Sequence, residues 1–308
     1  MTERADASIS VCLACHNEGD RLAACLESVR WADEIIVMDL ASTDGSAELA
    51  RGFGARVVER EAVPLVELIR NEIAAHATGT WILVMDPDER VSPALVDELR
   101  RAAARSDLDA VVIPRMNYDL GYPPTDPAER YEGQLRMYRK SAVSWPTVPN
   151  ALPVVPAART YRVPSRDELV LIHDRNRNVP EIVDRISRIA TLQAQSMIDA
   201  GQLFSARAMF ESLGSRTLRK LVHARAWRDG VPGLFRAGML IGFHFYVWIA
   251  FWQLSGAKRT PEDDAFVRRM GLALEGLRRT LVAVKFPVRA GRRVAARIAK
   301  LGGRKTVE

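Results

Sequence analysis

The sequence predicts an α/β domain, a mostly parallel sheet with flanking helices, followed by a helical C-terminal region. Three observations predict it. From Ile9 to Ile113, short apolar runs alternate with helical patterns. Those runs are apolar on both faces, as strands are when helices cover both sides of a sheet. Beyond Val179 the apolar spacing turns helical and stays so.

Ile9-Ser-Val-Cys-Leu-Ala14 reads as the first strand, followed by polar His16-Asn-Glu-Gly-Asp20 and a helical pattern through Leu22, Cys25, Leu26 and Val29. Glu34-Ile-Ile-Val-Met38 is the second strand, ended by Asp39-Leu-Ala-Ser-Thr-Asp-Gly45. A helix follows to about Phe53, with Ser46 as its N-cap. Ala55-Arg-Val-Val-Glu59 is the third strand, and a helix runs from about Leu65 to Ala77. Thr80-Trp-Ile-Leu-Val-Met85 is the fourth strand and leads into Asp86-Pro-Asp-Glu89. Ser92 caps the next helix with Pro93 at its first position, and Asp109-Ala-Val-Val-Ile113 is a fifth strand.

The 308 residues suffice for one large domain or a domain plus an appendage. With 48% hydrophobic and 27% charged residues the chain is globular in composition, so disorder is a poor global reading. The net charge of +6 is unevenly placed: Lys285 to Lys305 is rich in Arg and Lys and has no acid, which predicts an anionic partner for that tail. Met1 to Ser8 is polar, without an apolar h-region, so the body is expected in the cytoplasm. Cys12, Cys15 and Cys25 are too few and too clustered for a disulfide framework. Cys12-Leu-Ala-Cys15-His16 spells the haem-attachment pattern, and zinc is a second reading. It lies in or just after an apolar strand with no second ligand pair at zinc spacing, so small residues packing a strand is the preferred reading.

In parallel sheets ligands bind beyond the carboxyl ends of the strands. There the sequence keeps Asn17 and Glu18, then Asp39 and Asp44, then Asp86, Asp88 and Glu89. Carboxylates at i and i+2, stiffened by the intervening Pro87, can each direct an oxygen toward one hard cation. Mg²⁺ suits such a turn because it takes few protein carboxylates and completes its shell with water and substrate phosphates. Asp88 would reach the metal directly and Asp86 through water, or Asp86 would reach the nucleotide ribose. A capped turn into the Ser92 helix is the competing reading. Neither GxxxxGKS/T nor GxGxxG after the first strand is present, which disfavours P-loop enzymes and ordinary dinucleotide dehydrogenases.

Together Ser10-Val-Cys-Leu-Ala-Cys-His-Asn-Glu18, Glu34 to Gly45, Arg70-Asn-Glu72 and Trp81-Ile-Leu-Val-Met-Asp-Pro-Asp-Glu89 resemble the family-2 glycosyltransferases. The chain looks most like their lipopolysaccharide-core glucosyltransferase branch, through Leu135-Arg-Met-Tyr-Arg139, Leu171-Ile-His173 and Trp227-Arg-Asp-Gly-Val-Pro-Gly233. The resemblance covers about residues 8 to 255 and implies a GT-A fold. It also implies inverting transfer from a nucleoside diphosphate sugar, a uridine one, with Mg²⁺ or Mn²⁺. It assigns Asp39 to the base, Asp86 to the ribose side, Asp88 to the metal, and Asn17, Glu18 and Arg70 to the nucleotide pocket, where Asp44 also lies. A turn cap is the alternative for Asp39, and a solvated helix face for Arg70. His173 would help coordinate the metal or contact the diphosphate, or is a hydrogen-bonded strand-end histidine.

That branch carries a His-Glu pair after its tryptophan segment, but Trp145-Pro-Thr-Val-Pro-Asn150 puts Pro149 and Asn150 there. Asn150 cannot take a proton from the acceptor hydroxyl. The base is then Glu132, Glu129, Asp126, Asp167, Glu168 or Asp174, with Glu132 and Asp174 carried forward, or the acceptor is already an anion, such as a polyprenyl phosphate. A catalytically silent scaffold is a further alternative.

The expected organisation is a catalytic domain over 1–178, a helical extension completing the acceptor side over 179–235, and membrane-contacting helices over 236–308. Ala237 to Ala257 is uncharged and long enough to span a bilayer, but its aromatics lie along its middle. An in-plane helix is preferred to a span or a buried core helix. Val267, Met270, Leu274, Leu277 and Leu281 recur at helical spacing beside arginines, and Val288 to Leu301 continues that basic amphipathic character. Such a tail suits an anionic membrane surface at about 1 kcal/mol per basic residue. No nucleic-acid motif accompanies it. The expected location is peripheral, at the cytoplasmic face of the inner or plasma membrane. A homo-oligomer is left open.

Overall fold

The structure, a computed structural model, describes residues 7–63, 66–146, 153 and 155–283. Pro149 and Asn150 and the basic tail from Lys285 lie outside the described residues. The described residues fall into two units, one within Met1–Asp184 and Lys220–Met239, the other within Arg185–Arg219 and Leu240–Glu308.

The first unit begins as the alternation requires: β1 (Ile9–Cys15), α1 (Gly19–Ser28), β2 (Glu34–Leu40), α2 (Ser46–Gly52), β3 (Arg56–Arg60), α3 (Arg70–His76) and β4 (Trp81–Met85). A short β5 (Glu89–Val91) precedes α4 (Pro93–Ala103), then come β6 (Ala110–Asp119), α5 (Pro127–Arg130), β7 (Glu132–Arg139), β8 (Thr160–Arg162) and β9 (Leu171–Asn176). The sheet order is β3-β2-β1-β4-β7-β6-β9-β5, with β8 beside β6. β1 pairs in parallel with β2 and β4, β2 with β3, and β6 with β8 and β9. β7 is antiparallel to both β4 and β6, and β5 is antiparallel to β9. The expected parallel sheet is therefore its first half, and the second half is mixed. Because β7 reverses once between them, β4 and β6 still point the same way, and the carboxyl ends of β1, β2, β4, β6 and β9 share one edge.

Every residue of β1 and of β4 is buried. Strand alternation sends Val11, Leu13 and Cys15 into a cluster with Leu22 and Leu26 of α1, Ala50 of α2 and Leu95 and Leu99 of α4. Cys12 and Ala14 go to the opposite face, with Ile69 beside α3 and Ile73 and Ala74 within it. Each such side chain removed from water contributes roughly 1.5–3 kcal/mol. Trp81 is fully buried, and its indole N–H donates to the Ala103 carbonyl at 3.1 Å, tying β4 to α4.

The local differences from the sequence reading have physical causes. Ser46 is the first helical residue and does not cap α2. Gly45, at φ 84°, holds the cap position, and Asp44 accepts from the Ser46 N–H at 3.0 Å. Ser92 does occupy the cap of α4, but its hydroxyl donates to the Glu168 carbonyl at 2.8 Å and accepts from Val170 N–H at 3.1 Å. The helix expected from Leu65 starts as a 3-10 turn at Val66–Ile69 and becomes α-helical only at Arg70. The fifth strand is longer than its apolar run because pairing with β7 and β9 continues through Arg115 and Asn117.

Four long helices follow: α6 (Val179–Asp199), α7 (Ala206–Leu218), α8 (Gly230–Leu254) and α9 (Pro261–Ala283). In the second unit Ser205 caps α7, accepting from Ala208 N–H at 3.3 Å, and Asp263 accepts from Ala206 N–H at 2.7 Å. Phe210 meets Phe266 at 5.8 Å between ring centroids, and Phe204 packs edge-on against Trp248 and Phe251.

Candidate active site

Two loops at the shared edge, after β1 and after β2, are bonded to one another. Asn17, in the left-handed region at φ 55°, accepts from Thr43 N–H at 2.7 Å through its side-chain oxygen, and its own N–H donates to Ser42 Oγ at 3.0 Å. Asp44 receives the Gly19 N–H at 3.0 Å and the Ser46 hydroxyl, so one carboxylate anchors the starts of α1 and α2. Hydrogen bonds from Ser46 and Gly19 hold its carboxyl below its usual value. Asp39 is buried at the end of β2, where it accepts from Ser42 N–H at 3.1 Å and from the Cys15 thiol at 3.6 Å. Asn17, Glu18, Asp44 and Arg177 line a cleft of about 470 Å³. Burial pushes Glu18 above the ordinary carboxylate value, partly offset by Arg21.

The Asp86–Glu89 turn sits on a buried guanidinium. Arg136 of β7 donates to Asp86 Oδ2 and, at 2.6 Å, to Glu89 Oε1. The Arg136 side chain is only 4% exposed and that of Glu89 is 0% exposed. Glu89 also accepts from the Asp86 N–H at 3.0 Å and from Arg115 at 3.2 Å, which fixes the turn from inside. Burial alone would raise Asp86, but Arg136 outweighs it and brings its pKa down to about 2, while Glu89 is pushed up by burial.

Asp88 faces His173. Asp88 Oδ2 lies 3.1 Å from His173 Nε2, and β5 pairs with β9 so that Glu89 is opposite His173. The other ring nitrogen, Nδ1, is 2.6 Å from Asn117 Oδ1. The amide orientation follows from Asn117 Nδ2, which is 3.1 Å from the Glu132 carboxylate and must donate to it. Asn117 Oδ1 therefore accepts from Nδ1–H, and Nε2 faces Asp88 Oδ2, which Arg21 also approaches at 3.5 Å. A proton on Nε2 or a metal ion would bridge the ring and the carboxylate. One carboxylate and one imidazole suit Mn²⁺ or Mg²⁺ when substrate oxygens complete the shell. Among the described residues no cluster of three or more His, Cys, Asp or Glu could enclose an ion without such help.

Glu132 belongs to the same network. It accepts from Arg115 at 2.7 Å as well as from Asn117; burial opposes ionisation, but these two bonds keep its pKa below the ordinary value. Asp174 does not join it. It follows His173 in β9, so it leaves the opposite face of the strand, and Arg90 pairs with it at 2.9 Å. Of the other candidate bases, Glu129 pairs with Lys220, and Asp167 is held at about 2 by Arg130 and Tyr131. Arg70 stacks on Trp145, its guanidinium 4.3 Å from the ring centroid. Asn71 pins the Trp145 backbone with bonds of 2.7 and 2.8 Å. Cys12 and Cys15 are free and buried on opposite faces of the sheet, so they cannot clasp one haem or zinc.

The glycosyl transferase family 2 model matches residues 10–187. The chain belongs to glycosyl transferase family 2. It is 24% identical over 264 residues to the lipopolysaccharide core biosynthesis glycosyltransferase LpsC of Rhizobium meliloti, covering 83% of this chain and 97% of that one. It is 33% identical over 119 residues, 38% of its length, to a TPR repeat-containing protein of Synechococcus elongatus, of which it spans only 30%. Among solved structures it is similar to the mannosyltransferase PcManGT from Pyrobaculum calidifontis in complex with GDP-Man and Mn²⁺. That match has 18% identity, coverage of 89% and 83%, and a TM-score of 0.42. It is also similar to S. aureus TarS 1-349 in complex with UDP, at 14% identity, coverage of 59% and 64%, and a TM-score of 0.41.

Sequence reasoning missed Arg115, Asn117 and Arg136 of this glycosyltransferase domain as site residues. They lie on strands whose alternation is broken by charge, and only pairing across the sheet brings them to the Asp86–Asp88 turn. Arg21, 3.5 Å from Asp88 and bonded to Glu181 at 2.5 Å, was missed because an arginine on an amphipathic helix reads as solvated. We expect Arg136→Met to destabilise the fold by about 3–5 kcal/mol, because it leaves the buried Glu89 with Arg115 as its one remaining guanidinium among the described residues and takes the bonded cation from Asp86. Urea unfolding at pH 7 measures this, and a loss under about 1 kcal/mol would contradict the anchoring role.

Proposed function

We propose that this member of glycosyl transferase family 2 is an inverting hexosyltransferase, moving sugar from a nucleoside diphosphate sugar, a UDP-sugar, to a lipid-linked or cell-envelope glycan. The observation that carries the reading is the Asp88–His173 pair, with Nε2 at 3.1 Å from Asp88 Oδ2 and Nδ1 held by Asn117. In this reading Asp88 and His173 hold the cation, Mg²⁺ or Mn²⁺, which when bound neutralises charge on the leaving diphosphate. Asp39 accepts from the base N–H, and Arg136 orients Asp86 toward the ribose. Arg70 offsets diphosphate charge, and Asn17 and Glu18 line the nucleotide cleft. The acceptor oxygen bonds to the anomeric carbon from the face opposite the diphosphate as the bond to the diphosphate oxygen breaks. Its proton passes to Glu132, which stays ionised at neutral pH and keeps lone pairs beyond those used by Arg115 and Asn117. Asp174 is kept out of this scheme by its pairing with Arg90. The likeness to LpsC along 97% of that protein favours an envelope glycan as acceptor. The Pro149-Asn150 departure favours a second reading, a polyprenyl phosphate acceptor whose oxygen is already anionic and needs no base.

Membrane contact is part of the proposal. The helical segment Ala226–Leu254 is apolar and long enough to cross a bilayer, with a mean hydropathy of 1.5 over its most apolar stretch and 22% of that stretch buried. Phe235, Phe245, Tyr246 and Ile249 are exposed along it. With the basic tail beyond Lys285 this favours an in-plane helix on an anionic, cytoplasmic membrane surface.

Asp88→Ala should abolish transfer of labelled sugar and the Mn²⁺-dependent protection by UDP in thermal shift, while the unliganded melting temperature stays within a few degrees. Unchanged turnover would remove Asp88 from the mechanism. Asn117→Leu should lower Mn²⁺ affinity about 10–100-fold, as loss of a partner that orients a ligating histidine does. Titration with Mn²⁺ in the presence of UDP, read by electron paramagnetic resonance, measures it, and wild-type affinity would show that His173 does not depend on Asn117. Truncation before Lys285 should release the protein from phosphatidylglycerol vesicles in flotation. If the truncated chain floats equally well, the tail is not the anchor.

A further inference from the structure

The segment Trp227-Arg-Asp-Gly-Val-Pro-Gly233 takes no part in the donor site, yet its backbone is held in a costly shape. Arg225 sits in the left-handed region at φ 51°, and Gly230 has φ 64°. Gly233 is needed because any Cβ there would overlap the Ala226 carbonyl and the Asp229 Cβ. A non-glycine residue in that region costs on the order of 1–3 kcal/mol and persists only where its surroundings over-determine it. Here they do. Asp229 accepts from the Thr125 N–H at 3.2 Å, from the Thr125 hydroxyl and from Arg236, and Arg228 N–H closes the turn onto the Arg225 carbonyl at 2.8 Å.

The charges that build this loop satisfy one another and leave others over. Arg236 is committed to Asp229, Lys220 to Glu129, and Asp126 has a bonding partner of its own. Among the described residues neither Arg225 nor Arg228 is paired with a carboxylate. Both are exposed, with His223, around a cavity of about 410 Å³ that Thr125, Asp126 and Asp229 also line. That volume lies in the range of small-molecule sites, about 300–1,000 Å³. Arg228 lies 5.5 Å over the ring of Trp227, which is 57% exposed. The cavity also belongs to the edge that carries the reaction. Thr125 follows β6 in the chain, and Asp119 at the end of β6 holds Arg175 at 2.9 Å and Asn176, both close after His173 in β9.

We propose that this cavity binds the acceptor through a negatively charged sugar, its phosphate or carboxylate taken by Arg225 and by Arg228, which Trp227 positions from beneath, and its hydroxyls by Asp126 and Asp229. Guanidinium forks match the oxygens of either anion. The indole of Trp227 supports the Arg228 guanidinium, and a loop already fixed by Asp229 and Gly233 has little ordering entropy left to lose. The inference rests on the glycosyltransferase reading above and names the acceptor class for it.

The test is calorimetric titration of the full chain, loaded with UDP and Mn²⁺, with glucose 6-phosphate, glucuronate, glucose and inorganic phosphate. At least one charged sugar should bind, and which one names the anion; glucose should not, and inorganic phosphate should bind more weakly than the charged sugar. Arg228→Gln and Trp227→Ala should each weaken that binding about tenfold or more while leaving UDP–Mn²⁺ affinity unchanged. Gly233→Ala, which displaces the loop and keeps its charges, should weaken it as well. Because Arg225 holds the left-handed turn, Arg228→Gln carries the charge test independently of folding. Equal binding of glucose, equal binding of inorganic phosphate, or wild-type affinity in Arg228→Gln would each overturn the proposal. Failure of UDP–Mn²⁺ to bind the wild type would sink the donor reading instead; donor binding without any charged-sugar binding would sink this cavity alone.

Discussion

Arg136, itself buried, bonds to the buried Glu89 and to the partly exposed Asp86, and the geometry of the turn between them depends on that. A single guanidinium nitrogen, Nη2, holds both carboxylates and so defines where the Asp86–Glu89 turn begins and how it is rotated. Glu89 then passes the constraint to Arg115, Arg115 to Glu132, Glu132 to Asn117 and Asn117 to His173. Asp88 meets the far end of the same chain. Every residue of this network has a charged or polar partner within it, which favours one arrangement, while among the described residues Nε of Arg115 and of Arg136 is buried without a partner.

The sheet explains why these residues meet at all. β7 enters antiparallel between β4 and β6, so Arg136 lies beside the strand that leads into the Asp86–Glu89 turn. β5 runs back beside β9 and brings Asp88 level with His173, although more than eighty positions separate them in the chain. The reversed strands are short or polar on one face, and they give the loop edge of the parallel half-sheet a second wall.

How far the sequence could be read follows the same division. β1, β2 and β4 were legible because burial on both faces demands unbroken apolar runs, and the acids beyond them stand out by contrast. β7 was not, since Glu-Gly-Gln-Leu-Arg-Met-Tyr-Arg alternates imperfectly and places a buried arginine where a strand pattern expects an apolar residue. His173 and Asp88 were legible through the family likeness, while Asn117 was silent because an asparagine inside an irregular strand carries no periodic signal. Asp44 was taken as a pocket residue, and its carboxylate is occupied with two helix starts. It also lines the cleft beside Asn17 and Glu18. The shape of the Arg225–Gly233 loop lay beyond pattern reading, because left-handed backbone at an arginine is set by tertiary bonds and not by local preference.

The three thiols have a practical consequence. Cys12 and Cys15 are pushed up to about 12 by burial, and Cys25 is raised by burial too, so thiolate is scarce at neutral pH. A folded molecule should thus ignore peroxide and maleimide alike, and its integrity does not hinge on the reducing power of its surroundings. Alkylation becomes a clock for opening of the central sheet, since a reagent reaches these sulfurs only when β1 and α1 separate from their neighbours.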